Sequence, residues 1–227
     1  MDSILNPTIF IGNFEWREPV TTLTDLLVAI AAIIGFLKFK KYKGHRSAGF
    51  NYFKFYFLFF SIGMTSAAWL GHGLQAYVGP SFKIIGWVCG ASGLLLFGLG
   101  TFKEVKYLME SRVFSALRFL FVAQYLIFVF LMIHPNHSDF IYAQISSTVS
   151  LIAFILPLHV YNFRINSSKG SFIIFLTILF GIIPGFVYSN KISLNHWFNY
   201  HDISHVLMAI FMSLMIIGTS KLTMKYQ

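Results

Sequence analysis

Residues 199–219 read NYHDISHVLMAIFMSLMIIGT, a polar start holding His201 and His205 followed by an unbroken apolar run. A helix of about 20 such residues, rising about 1.5 Å per residue, spans the roughly 30 Å hydrocarbon core of a bilayer. The same reading finds six further stretches upstream, at 22–39, 52–75, 83–101, 114–133, 140–161 and 171–189. Of the 227 residues, 56% are apolar, 19% aromatic and 11% charged. A soluble domain carries about 25% charged residues. The expected fold is therefore all-α: a polytopic, multi-pass membrane protein in which residues 1–227 form a single seven-helix transmembrane bundle. Short connections leave no room for a soluble domain, and no repeat or low-complexity linker interrupts the pattern. Lys54, near the start of the second stretch, has a stem long enough to snorkel to the interface.

The first 20 residues, MDSILNPTIFIGNFEWREPV, lack the basic start, apolar core and small-residue cleavage site of a signal peptide. The lone cysteine, Cys89, excludes an intrachain disulfide.

The net charge of +9 invites a nucleic-acid reading, but the positions of the charges argue against it. Lys38, Lys40, Lys41, Lys43, Arg46 and Lys54 follow the first span, and Lys103, Lys106, Arg112 and Arg118 follow the third. Arg164 and Lys169 follow the fifth, and Lys221 and Lys225 the seventh. Together these are 14 of the 17 basic residues. Arg17, Lys83 and Lys191 stand at the other end. Such segregation places the N-terminus outside and the C-terminus inside. It also suits lipid headgroups, so membrane lipid is the expected partner and nucleic acid is rejected. A bacterial inner membrane and a eukaryotic endomembrane both satisfy the arrangement, and no pattern specifies a protein partner.

Small residues four apart, Gly86 with Gly90 and Gly181 with Gly185, suit close helix packing. Pro157 and Pro184 are expected to kink the fifth and sixth spans.

With this orientation, polar residues can be sorted by depth. His72 lies near the outer end of the second span, in SAAWLGHGLQAY. His201 and His205 open the seventh span, and their i, i+4 spacing puts both on one helix face. Glu18, Thr21, Thr22, Thr24 and Asp25 lie at the outer start of the first, in EWREPVTTLTDLLVA. Intramembrane ionisable residues at one level are functional candidates. The other histidines scatter: His45 in the basic loop, His134 and His137 beside Pro135 outside, and His159 at the inner end of the fifth span. His196, before Trp197, reads as interfacial or as a spare ligand.

Three histidines with one open position make a catalytic zinc site, whereas a closed structural site needs a fourth protein ligand. Zinc lowers the pKa of bound water to about 7 and polarises carbonyls. The bland alternative is a set of interfacial, hydrogen-bonded imidazoles. Bis-histidine haem ligation by His72 and one of the pair is a third reading. A single cysteine speaks against an iron–sulfur cluster. Asp25 reads either as a buried general base or as a cap and dipole partner at the helix start. Asp202, about 100° around the helix from His201, either orients a ligand or favours its own helix N-terminus.

These residues resemble the CREST superfamily, which holds alkaline ceramidases, progestin and adiponectin receptors and related lipid-remodelling proteins. The likeness rests on EPVTTLTDLL, a histidine in the second span and His-x-x-x-His-Val opening the seventh. It covers the seven-helix layout over essentially the whole chain. It implies zinc held by His72, His201 and His205. The ceramidase members imply calcium near that zinc, with Glu15, Glu18 and Asp25 as its candidate ligands. Two positions depart from the pattern. Ala68 stands where the family usually has serine, and Ser66, six residues from His72, is turned about 120° away on an α-helix. No acidic residue lies between His72 and Thr101, where the family has an aspartate holding the zinc water. Asp25 is the substitute base.

The function expected is a zinc-dependent intramembrane hydrolase acting on a lipid amide or ester. The alternative is a non-catalytic seven-helix protein, receptor-like or an assembly partner, with a structural zinc.

Overall fold

The computed structural model describes residues 7–134 and 139–225. Among these, seven helices are long and apolar enough to cross a membrane. They are α1 (Pro19–Lys41), α2 (Phe50–Gly73), α3 (Pro80–Leu108), α4 (Ser111–Ile133), α5 (Phe140–Asn166), α6 (Lys169–Ser189) and α7 (Tyr200–Thr223). The chain is thus an all-α, multi-pass bundle; five helices cover their expected stretches, while α2 stops two residues short of its expected end and α7 starts one residue late. Pro135 and His137 fall outside the described residues.

Two small ribbons were not expected. Strands β1 (Thr8–Ile11) and β2 (Phe14–Arg17) form an antiparallel hairpin ahead of α1, with Thr8 opposite Arg17 and Ile11 opposite Phe14. Its two-residue turn places Gly12 at φ 60°, a conformation that glycine adopts without strain. Strands β3 (His45–Arg46) and β4 (Met224–Lys225) tie the loop after α1 to the end of α7.

Helix α1 packs between α2 and α7; α2 also lies against α3, and α7 against α6. Between helices in lipid, van der Waals fit replaces the hydrophobic drive. Here phenylalanine rings supply much of that fit. Phe39 packs on Phe57 at 5.4 Å between ring centroids, and Phe53 and Tyr56 each approach Phe97 to 4.9 Å. Tilted and edge-on pairs of this kind add attraction beyond the area they bury. Midway along α2, glycines also bring it against α3. A Cβ on Gly63 would lie 3.0 Å from the Gly86 carbonyl oxygen and 3.1 Å from the Gly90 nitrogen. Gly86 therefore makes the expected close approach, with Gly63 as its partner, whereas a Cβ on Gly90 would meet nothing within 4 Å. Gly185 faces open space instead.

Both prolines interrupt their helices. A proline ring clashes with the carbonyl four residues earlier and offers no N–H to it. In α5 the residues before Pro157, Val149–Ile155, widen into a π-helix. In α6 the α-helix stops at Phe180 and resumes at Ile182, one turn ahead of Pro184.

The alternation of helices gathers the basic loops at one end of the bundle. There Glu104 of α3 accepts hydrogen bonds from the Ser47 hydroxyl and the Gly49 amide, both at 2.5 Å, fixing the first basic loop. The hairpin, His72 and the start of α7 gather at the other end.

Candidate histidine–carboxylate site

Each helix delivers its polar residue to the histidine end by a local device. Helix α7 starts at a capping box: Asn199 accepts from the His201 amide at 2.8 Å, and Asp202 accepts from the Asn199 amide at 2.7 Å. This box sets where the first turn begins, and so where His201 and His205 point. Helix α2 ends in a π-helical stretch, Ala67–Gly73, that carries His72. Single π-helical turns occur often at functional sites, where they re-aim a side chain at the cost of regular bonding. Helix α1 starts at Glu18, whose φ of 45° and ψ of 55° are left-handed.

The three helices bring the expected residues together. Ring centroids lie 6.0 Å apart for His72 and His201, 6.4 Å for His72 and His205, and 6.3 Å for His201 and His205. Asp25 stands among them: its Oδ2 is 3.6 Å from His72 Nε2 and its Oδ1 is 3.3 Å from His205 Nδ1. Asp25 is 1% exposed, and neither oxygen has a hydrogen-bond partner. The cap reading of Asp25 therefore fails, because it sits beyond the first turn of α1 and faces inward.

Asp202 does cap its own helix. Its Oδ1 also lies 3.4 Å from the Thr24 hydroxyl, which is 3.3 Å from His205 Nδ1. Thr24 thus links the capping box to a site imidazole. His201 is flanked by Tyr188 and Tyr200, at 5.3 and 4.3 Å between ring centroids.

Glu18 is the residue whose part the sequence concealed. It is buried, and its Oε2 accepts a hydrogen bond from His72 Nδ1. Burial raises the Glu18 carboxyl, but the hydrogen bond and charge of His72, joined by Lys83 and His201, more than offset it and lower its pKa from the ordinary glutamate value. Glu15 pairs instead with Arg17 at 2.7 Å. Of the three carboxylates grouped for calcium, Glu15 and Glu18 thus pair with Arg17 and His72, while Asp25 stands unbonded among the imidazoles. Lys83 also reaches this end, where a Cβ on Gly71 of α2 would meet its Cγ at 3.3 Å. Its only signal in the sequence was its place among the few basic residues at this end.

His159 lies apart, fully buried between the Thr101 and Ser171 hydroxyls at 3.2 and 3.1 Å. His196 is exposed and lies against Trp197. Ser66 does not join the histidines. With Ile33, Leu58, Ser61, Ile62, Thr65, Trp69 and Leu70 it lines a groove of about 350 Å³.

A family model described as a family of unknown function, DUF6962, matches residues 20–224. The chain belongs to the DUF6962 family. No curated protein and no solved structure matches it. The matched part of this DUF6962 chain takes in Asp25, His72, His201 and His205, and stops short of Glu18 and the hairpin.

Among the described residues of the DUF6962 chain, no three His, Cys, Asp or Glu side chains are already drawn together as a metal cage. The donor chemistry nonetheless fits a cation. A buried carboxylate without a partner costs several kcal/mol, roughly, unless a cation or proton joins it. Three imidazoles beside one carboxylate are a zinc donor set.

Proposed function

We propose that this chain is a zinc-dependent intramembrane hydrolase of a lipid amide or ester, akin to the ceramidases of the CREST superfamily. In this reading the histidine end faces outward, with the N-terminus out and the C-terminus in, supported by the 14 of 17 basic residues at the opposite end. One observation carries the chemistry: Asp25, with both oxygens buried and unbonded, among three histidines from two other helices.

His72, His201 and His205 would hold the metal. Bound there, zinc supplies a Lewis acid that polarises a carbonyl and acidifies water. The remaining work belongs to side chains. Glu18 accepts the Nδ1 proton of His72 and so leaves the Nε2 lone pair turned toward Asp25. The Thr24 hydroxyl holds the His205 ring at Nδ1, the nitrogen that also faces Asp25. Asp25 takes the proton of the attacking water as its oxygen bonds to the substrate carbonyl carbon. It returns that proton to the leaving nitrogen or oxygen as the carbon–heteroatom bond breaks. A lipid substrate agrees with the groove between α1 and α2, whose walls are Ile33, Leu58, Ile62 and Leu70. Trp69, at its upper end, lies one turn from His72 and stacks on Trp16 at 6.2 Å.

A second reading, a receptor-like or assembly protein with a structural zinc, is favoured by the same Asp25. A carboxylate this close to two imidazoles can serve as a fourth ligand and close the site. Asp25→Asn separates the two. As a base, Asp25 is dispensable for zinc, and turnover of a short-chain ceramide or fatty amide falls by roughly 10²-fold or more. Loss of zinc in the variant makes Asp25 a ligand and selects the structural reading. Wild-type protein with full zinc that cleaves no lipid amide or ester ends the hydrolase reading.

A further inference from the structure

At the basic end, three helices meet around a second groove, of about 410 Å³. Lys38 of α1, Lys169 of α6 and Lys221 of α7 line it, with Ile217, Ser220 and Met224. Close packing of α6 on α7 draws together the backbones next to two of these lysines: a Cβ on Gly170 would lie 2.4 Å from the Leu222 nitrogen. Among the described residues none of the three lysines has an ion-pair partner. Like charges gathered in one groove repel one another, and a bound anion relieves that repulsion. The surroundings say which anion. Ser220 and Met224 are buried beneath the lysines, while Ile217 is 44% exposed on the outer surface of α7. The groove therefore has cationic walls at the ends of three apolar spans and an exposed apolar residue, Ile217, at its lip.

We infer that this groove binds the phosphate headgroup of an anionic phospholipid, with the first acyl carbons against Ile217. Basic pockets between membrane helices take such headgroups, and each lysine near the surface contributes about fivefold in affinity. This site is separate from the histidine end and does not depend on its chemistry.

Native mass spectrometry of the full chain, released from micelles containing phosphatidylglycerol and phosphatidylcholine, tests the inference. Phosphatidylglycerol adducts should dominate on the wild-type protein. The variant Lys38→Gln/Lys169→Gln/Lys221→Gln should lose them by roughly two orders of magnitude in affinity. A variant with equal charge removed elsewhere at the same end, Lys40→Gln/Lys103→Gln/Lys106→Gln, should keep them. Equal loss in both variants would overturn the site in favour of diffuse surface charge. So would equal uptake of the two lipids, or displacement of the lipid by inorganic phosphate alone at matched concentration. If the triple variant fails to fold, the three single variants read the same question, and unchanged binding in all three overturns it.

Discussion

Glu18 and His72, 54 residues apart, form a buried pair across α1 and α2, and Glu18 makes it from a left-handed backbone. A non-glycine residue held there costs about 1–3 kcal/mol, and such positions cluster at functional sites. The surroundings hold it in place: the Glu18 amide donates to the Pro7 carbonyl at 2.7 Å, and its own carbonyl accepts from the Thr22 amide at 2.9 Å.

Glu18→Gln should therefore weaken zinc binding by about 10–100-fold in a chelator competition, with helix content unchanged. Glu18→Gly removes the backbone strain together with the carboxylate, and its zinc affinity should fall equally far. Full affinity in both variants would show that the pair does not orient His72.

Zinc should copurify with the wild-type protein and be lost from His72→Ala, His201→Ala and His205→Ala, as read by metal analysis. His159→Ala should keep its zinc. That variant should instead lose about 1–3 kcal/mol of stability, because the Thr101 and Ser171 hydroxyls each lose a buried partner. Stoichiometric zinc on the His72 variant would dissolve the three-helix site.

Gly63→Ala should lower the thermal midpoint in detergent, by about 1–3 kcal/mol of stability, because its new methyl meets backbone atoms of α3. Gly90→Ala, whose methyl meets nothing within 4 Å, should be tolerated. Equal behaviour of the two would mean that α2 and α3 are not in van der Waals contact there.

A reporter active only in the cytoplasm should work when fused after Gln227 or within Lys40 to Arg46. The same reporter should be silent in the segment around Pro135. Activity there would contradict the proposed orientation.

Length and hydropathy made the seven helices legible, because each lipid-spanning segment must satisfy its own backbone hydrogen bonds and so announces itself locally. The histidine pair of α7 was equally plain, since i, i+4 spacing is a property of one helix. The hairpin was harder to see. Its strands are four residues each, and Gly12-Asn13 was its only turn signal. The π-helical stretch under His72 has no comparable mark, and it replaces the α-helical rotation by which Ser66 was set aside.

The amino-acid sequence alone thus determined the helices, the segregation of charge and the level at which His72, His201, His205 and Asp25 lie. Depth along a span follows from counting residues, at a constant rise per residue. Which neighbour each side chain meets depends on the rotation and packing partner of each helix. Only the tertiary structure decided that Asp25 faces two imidazoles instead of capping α1, that Glu18 serves His72, and that Lys38, Lys169 and Lys221 share one groove. Those contacts join residues from different helices, so no local pattern in the chain encodes them.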